Sequence, residues 1–460
     1  MNFHTYFKGA EPVETCIVGT GSFGRSFLVQ SRRVPLMNTR IAIDVSAETA
    51  ARAIASIGVA EGEIAICRSR EEAAAAWATG KHIAADDIAI VLELPFGVVV
   101  EATGHPEAGA RHARLAIEAG KHVVMVSKEA DSVVGPGLAL LAQQQGVVIT
   151  PVDGDQPSLL VDLVTWAELL GFEIIAAGKS SEYDFVHDPA AGTLTSNGVV
   201  IDAMGFAGLE RLREAGAADL LEARSRAASA FKQHLTPDLC EMSLVANATG
   251  LRFDRDTFHA PIARIGEVPS FLSLKEDGGV LDAGRSLEVF HCLRAPDEVS
   301  FAGGVFVVVR CEDEESWTLL ADKGHVVSRT GATAMIYNPR HLLGLEAATS
   351  VLAAAARGVS QGMAEPQHFV DLVARADVDL PAGTVLTAAG HHHEIEGVSA
   401  AILPACALGP QAPVPFYLAA NRPLLRPVKA GKTIVLEDVE LDEASDLLKL
   451  RRLQDAHFFG

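Results

Sequence analysis

The sequence predicts an α/β protein: an N-terminal doubly wound parallel sheet, a second domain of α+β type, and a small C-terminal β-rich domain. Three observations predict it. Three glycines, Gly19, Gly21 and Gly24, follow a short apolar strand near the N-terminus. Strand and helix patterns then alternate over about the first 150 residues, which is how parallel sheets with crossover helices read. Beyond Pro151 the units become longer and less regular.

The first strand, Cys16 to Val18, runs into Gly19-Thr-Gly21-Ser22-Phe23-Gly24-Arg25. This is dinucleotide-binding spacing at the mouth of a Rossmann sheet. Gly19 makes the tight turn, Gly21 lets backbone approach a pyrophosphate, and Gly24 lets the next helix pack closely on the sheet, while its N-terminus offers N–H donors to phosphate. A second apolar strand, Ile41 to Ile43, ends at Asp44, about twenty residues after the last glycine, where a carboxylate accepts from the adenosine ribose. That charge repels a 2′-phosphate. NAD is the expected cofactor, with NADP still reachable through Arg52.

The remaining elements of this domain follow in order. Alanine-rich helices start at Ala47 and Glu71, a buried strand spans Val98 to Ala102, and Thr103 and Gly104 turn the chain into the helix Glu107 to Ala119. The next strand, His122 to Val126, is followed by Ser127 and Lys128, a helix from Pro136 to Gln145, and a last strand within Gly146 to Thr150. Lys128 is thereby expected at a strand end on the carboxyl edge of the sheet, where nicotinamide lies in such folds. An ammonium there can hold a substrate oxygen as hydride leaves, or exchange its proton.

Helices from Ser158 to Leu170 and Gly205 to Arg226, and strands Phe172 to Ala177 and Gly304 to Cys311, build the second domain. Asp153-Gly-Asp155 opens it. Asp155 and Lys179 form an expected acid/base constellation, with Asp153, Asn247 and His259 as candidate substrate contacts. Glu182, Asp184, His187 and Asp188 lie close together but read as an acidic solvated loop, so a divalent metal and its ligands stay undetermined. The segment His391 to His393 with Glu394 and Glu396 suggests a metal site at first sight; strand alternation splits it between two faces, and a hairpin is favoured. Domain limits of 1–152, with a return helix at 341–357, 153–340, 367–443 and a tail at 444–460 follow.

Composition narrows the partners. With a net charge of −21, the chain lacks the basic surface that nucleic acid or an anionic membrane requires. The six cysteines show no paired spacing and read as reduced thiols. No stretch has the uninterrupted apolar length of a membrane span, and the N-terminus lacks a signal pattern, so a cytoplasmic protein is expected. Its partners are a small-molecule substrate held between the first two domains and a second copy of itself, most simply a dimer.

Several stretches together resemble one family. They are Glu101-Ala-Thr-Gly104, the run from Gly120 through Lys128 to Asp131, Asp153-Gly-Asp155-Gln-Pro157, Ala177-Gly-Lys179, Ala246 to Gly250, Gly278 to Leu281 and Val428 to Lys432. The sequence is similar, over nearly its whole length, to homoserine-dehydrogenase-like oxidoreductases with a C-terminal SAF domain, a group that includes 1-deoxy-D-xylulose 5-phosphate reductoisomerase-like enzymes. The resemblance implies NAD(P)-dependent hydride transfer on a sugar- or polyol-derived hydroxy or carbonyl compound, a SAF-like fold for the small domain, and a substrate and oligomerisation role for the second. It places Lys128 at the lysine after the strand, and Lys179 and Asp155 on matching motifs. The reductoisomerase-like members use NADPH and a divalent metal. Asp44 departs from that pattern, since such an enzyme is expected to carry a small or basic residue there. Homoserine dehydrogenase is the alternative enzyme, and a nucleotide-binding sensor without turnover is the alternative of another class.

Overall fold

β1 (Val13–Val18) lies at the centre of a parallel sheet whose other strands are β2 (Met37–Ile43), β3 (Ile64–Ile66), β4 (His82–Ala85), β5 (Val98–Glu101), β6 (His122–Met125) and β7 (Ile149–Pro151). The order is β3-β4-β2-β1-β5-β6-β7, and each pairing is parallel. β1 therefore pairs on one side with the strand that follows it and on the other with β5. This is a topological switch point, and in such sheets ligands bind outside the carboxyl ends of the strands there. The computed structural model describes residues 2–212, 216–390 and 393–460. By contacts the chain forms two units, one of residues 1–158, 342–399 and 403–460, the other of residues 159–341 and 400–402.

The core of the first unit is built from the inward residues of these strands, among them Ile17, Ala42, Val98, Val100 and Val124, closed by Phe27 and Leu28 of helix Ser22–Ser31 and Val351 of helix Ala348–Arg357. β-branched side chains on both faces suit strands covered on two sides. Strands β3 and β4 were not expected, because three or four residues of modest hydrophobicity give little periodic signal.

Two helices differ from expectation. The helix expected from Pro136 begins at Lys128 and runs to Gln145. Proline is favoured in the first turn, which made Pro136 look like a start. Instead Glu129 and Asp131 fill the first turn and favour the helix N-terminus, while Val133, Val134 and Leu138 are buried. Lys128 is thus the first residue of a helix rather than the end of a strand. The expected return helix is confined to Ala348–Arg357, preceded by a short 3₁₀ turn at Leu343–Leu345, and packs across β1, β5, β6 and β7.

Residues 444–460, expected as a tail, form the helix Asp446–Phe458, which packs on helices Pro106–Glu118 and Lys128–Gln145. Gly137 permits the approach: a Cβ there would lie 3.0 Å from that of Gln454, whose Oε1 accepts from the Gly137 N–H at 2.8 Å.

In the second unit a mixed sheet contains β8 (Ile174–Ser180), β9 (Phe185–Asp188), β10 (Thr193–Ser196), β11 (Val199–Asp202), β12 (Arg252–Phe253), β13 (Ile262–Ala263), β14 (Ser286–Arg294), β15 (Val305–Arg310), β16 (Val326–Val327) and β17 (Thr333–Asn338). Its main path is β11-β10-β9-β14-β8-β15-β17-β16, and β12 and β13 pair with β14. The helix expected from Gly205 to Arg226 is broken into a 3₁₀ turn, Met204–Phe206, and helix Ala217–Ala227; Gly205, Gly208 and Gly216 interrupt it, and residues 213–215 lie outside the described residues.

The C-terminal segment holds a small sheet, β18 (Val370–Ala376), β19 (Ala388–Ala389), β20 (Glu394–Ile395) and β21 (Val398–Pro404), in the order β18-β21-β20-β19. The stretches beginning at Leu380 and Val428 lie beside each other. They pair with each other, Leu380 N–H to Val428 O at 2.8 Å and the reverse at 2.9 Å.

Candidate active site

Four loops leave the carboxyl ends of β1, β5, β6 and β7 in the first unit. The β1 loop carries the glycines. Gly19 has φ +89°, and a Cβ on it would stand 2.5 Å from the Ala102 carbonyl oxygen; a Cβ on Gly24 would stand 2.0 Å from the Gly19 oxygen. Neither position accepts a side chain. Gly21 differs: nothing lies within 4 Å of where its Cβ would be, and as N-cap of helix Ser22–Ser31 it provides no side-chain cap. Open space before an uncapped helix N-terminus fits a pyrophosphate, with Ser22 and Phe23 supplying the first N–H groups. Asp44 follows β2, and its Oδ2 accepts from the Thr20 N–H at 2.8 Å and from the Thr20 hydroxyl. Its Oδ1 accepts from the Val45 N–H at 2.7 Å. One carboxylate therefore shapes the glycine turn from the end of β2.

At the end of β5, Glu101 is fully buried. Its Oε1 accepts from the Thr103 hydroxyl at 2.6 Å and lies 3.2 Å from His112 Nδ1. The Gly104 N–H donates to Ser127 Oγ at 2.8 Å, which ties the β5 loop to the β6 loop. Directly after Ser127, Lys128 Nζ lies 3.1 Å from Asp155 Oδ2 and 3.4 Å from Oδ1. The expected catalytic residues Lys128 and Asp155 are thus brought together, Lys128 at the start of the helix after β6 and Asp155 in the turn after β7. Asp155 is 6 % exposed and Lys128 21 % at their side chains, so the pair is shielded yet open on the lysine side.

The turn that carries Asp155 is held from behind. Asp153 accepts from Ser158 Oγ at 2.9 Å, from Thr349 Oγ1 at 2.6 Å and from Gln361, and its N–H donates to Ser350 Oγ at 2.6 Å. Gly154 has φ +85°, and a Cβ there would be 2.6 Å from the Leu343 oxygen. The return segment, remote in sequence, thereby fixes the Asp153-Gly154-Asp155 turn. Two carboxyls in the first turn of the β6 helix also stand above their usual range. Burial pushes Glu129 up to about 7, with Glu101 and Asp155 adding to the rise against its own backbone hydrogen bond and Lys128; burial alone raises Asp131 to about 7.

The other expected site residues belong to the second unit. Lys179, on β8, is fully buried, with Nζ 2.9 Å from Asp238 Oδ1 and in contact with Glu241. Asp238 also accepts from Ser181 Oγ at 2.9 Å. Asn247 was expected beside a turn; it is buried on helix Thr236–Thr249, the helix that carries Asp238 and Glu241. His259 is buried between two acids, Nδ1 2.6 Å from Glu288 Oε1 and Nε2 3.3 Å from Asp254 Oδ2. The residues expected as an acidic loop take separate duties: Asp184 binds Arg294 Nε at 2.6 Å, His187 packs on Phe206, and Asp188 accepts from the N–H groups of Ala190 and Ala191. His391 and His392 lie outside the described residues. Among the described residues, no group of three or more His, Cys, Asp or Glu is arranged to hold a metal ion, no disulfide is present, and no helix is long and apolar enough to cross a membrane.

Sequence reading named neither Glu129 nor the Asp238 and Glu241 partners of Lys179. Glu129 was within reach, since it follows Lys128 directly. The partners of Lys179 were not, because a contact across about sixty residues leaves no local pattern.

Residues 46–150 match the family model of the homoserine dehydrogenase NAD-binding domain, and residues 154–347 match that of the catalytic domain of oxidoreductase DRL. The first match starts beyond the glycine loop, so the phosphate cradle rests on the structure itself. No curated protein matches the chain. Among solved structures, an oxidoreductase from Bacillus cereus is 14 % identical with a TM-score of 0.34, over 75 % of this chain and 90 % of its own. A 3-ketoreductase from Actinomadura kijaniata, in complex with NADP, is 16 % identical with a TM-score of 0.23, over 40 % of this chain and 51 % of its own. The chain spans about half the length of that ketoreductase. Both family models describe domains of oxidoreductases.

Proposed function

We propose that the protein moves a hydride between nicotinamide and a small polar hydroxy or carbonyl compound, sugar- or polyol-derived, with Lys128 at the reacting oxygen. The observation that carries this reading is the Lys128–Asp155 pair at 3.1 Å, at the start of the helix after β6 and in the turn after β7, at the carboxyl edge of the parallel sheet. Bound nicotinamide supplies or accepts the hydride. Lys128, held beside Asp155, donates a hydrogen bond to the substrate oxygen and stabilises charge that develops there. In reduction it gives that oxygen a proton; in oxidation the proton travels the other way. Asp153 positions Asp155 through the return segment. Lys179, between Asp238 and Glu241, suits a fixed positive charge in the second unit.

NAD is favoured over NADP because Asp44 already presents a carboxylate at the ribose position and Val45 offers no cation beside it. The matches to the DRL catalytic domain and to a homoserine dehydrogenase NAD-binding domain support oxidoreductase chemistry, with the sugar and amino-acid substrates as the alternatives to be tested. A panel of ketose phosphates, polyols and homoserine, followed by nicotinamide absorbance with both cofactors, separates them. Turnover of homoserine alone would replace the sugar reading, and turnover of none would leave a nucleotide-binding sensor.

A further inference from the structure

The C-terminal segment reaches the first turn of the helix that carries Lys128. That helix packs against β18 and against the short helix Phe416–Ala419. His393 Nε2 lies 3.3 Å from Glu129 Oε1, and His393 Nδ1 lies 3.3 Å from the hydroxyl of Tyr417. Both ring nitrogens are thereby oriented, one toward the site and one toward a tyrosine that is 2 % exposed. The imidazole itself is 25 % exposed, whereas the Glu129 side chain is 6 % exposed. One edge of this pair meets solvent, and at the other Glu129 follows Lys128 directly in the chain, close enough for the lysine to act on its carboxyl.

We propose that Glu129 and His393 form the proton path of the site, with Glu129 as its inner station and His393, oriented by Tyr417, as a positioning residue that acts through it. The proposal rests on the dehydrogenase reading. In reduction, the substrate oxygen takes a proton from Lys128 as the carbon takes hydride. Lys128 is reloaded from the Glu129 carboxylic acid, Glu129 from the Nε2–H of His393, and His393 from solvent. Oxidation runs the same transfers in reverse and releases one proton. The groups that face Glu129 are Lys128 on its own helix, Glu101 from β5, Asp155 from the β7 loop and His393 from the C-terminal segment. Burial and the two acids hold its carboxyl near neutrality, where a proton station works in both directions. The C-terminal segment thereby becomes part of the catalytic apparatus.

Two measurements on the full-length protein test this. In ¹³C-histidine-labelled protein, the His393 resonance is assigned by its absence from His393→Gln, and its pKa is followed in wild type and Glu129→Gln. Removal of the carboxylate lowers that pKa by roughly one unit, a tenfold shift in its proton affinity. An unchanged value overturns the proposal. With whichever panel compound is turned over, His393→Ala lowers kcat by roughly tenfold or more, changes the pH profile, leaves NADH affinity intact and is rescued by added imidazole. His393→Gln serves if the alanine variant unfolds. A variant with the wild-type pH profile and no imidazole effect refutes the proton path while the dehydrogenase reading stands. A wild type that binds cofactor but turns over nothing on the panel refutes both.

Discussion

Replacing Lys128 by alanine removes the group on which the proposed chemistry turns, and the structure sets the size of two separate effects. The first is catalytic. A lone positioned donor at a developing oxyanion is worth about 10²–10³ in rate, or about 2.7–4 kcal/mol. The second is structural. Asp155, 6 % exposed and 3.1 Å from the ammonium, loses this cation but keeps the Gln156 N–H at 3.0 Å. Breaking a fully buried pair costs about 3–5 kcal/mol; a lysine one-fifth exposed and a retained N–H bring this to about 1–3 kcal/mol. The glycine loop after β1 is untouched, so NADH binding by fluorescence titration should match wild type. Single-turnover hydride transfer should fall by about 10²–10³, and Lys128→Arg should recover part of it. Unchanged turnover with a raised KM would make Lys128 a substrate-binding residue and refute the reasoning, as would an equal loss of NADH affinity.

Asp44→Ser removes both the ribose acceptor and the charge-assisted bond to Thr20; NADH should lose roughly tenfold in affinity while NADPH loses less, read by parallel titrations. Gly154→Ala forces a residue with φ +85° against the Leu343 oxygen, so the melting temperature should fall by several degrees and turnover should fall with it, because Asp155 shifts. Arg451→Met breaks a buried network in which Arg451 grips Asp371 at 2.6 and 2.8 Å and Asp455 at 2.7 Å, with a stability loss of about 3–5 kcal/mol in urea unfolding. Burial raises Asp371, but the His368 hydrogen bond and Arg451 outweigh it and hold the carboxyl below its usual range. Its stabilisation is therefore present above the unfolded carboxylate pKa and lost as pH falls through the lower folded value, and Asp371→Asn should flatten the acid limb of the unfolding curve.

The dinucleotide-binding half was legible because its signals are local. Gly19, Gly21, Gly24 and Asp44 act within one strand–turn–helix and the next strand end, and a spacing rule captures them. Lys128 was legible as a residue but not as a helix start, since Pro136 is an equally good start in one dimension and only packing of Val133 and Val134 settles the matter. The turn at Asp155 was legible while its support was not: Thr349, Ser350 and Gln361 reach it from about two hundred residues away. The same distance hid His393 from Glu129. Lys179 was expected as an exchangeable amine because it follows a strand pattern, yet that strand runs on beyond Ala177 to Ser180 and carries the lysine into the sheet, where Asp238 and Glu241 hold it.

The most direct test of the account is the coupling of cofactor to substrate oxidation or reduction. Purified protein is mixed with NAD⁺ or NADH, then with the sugar phosphates, polyols and homoserine of the panel, and nicotinamide absorbance is followed against a Lys128→Ala control. The account predicts stoichiometric change in nicotinamide with at least one sugar- or polyol-derived compound, faster with NAD(H) than with NADP(H), and suppressed about 10²-fold or more in the variant. Tight NADH binding with no change in nicotinamide on any compound, or turnover equal in wild type and variant, would contradict it.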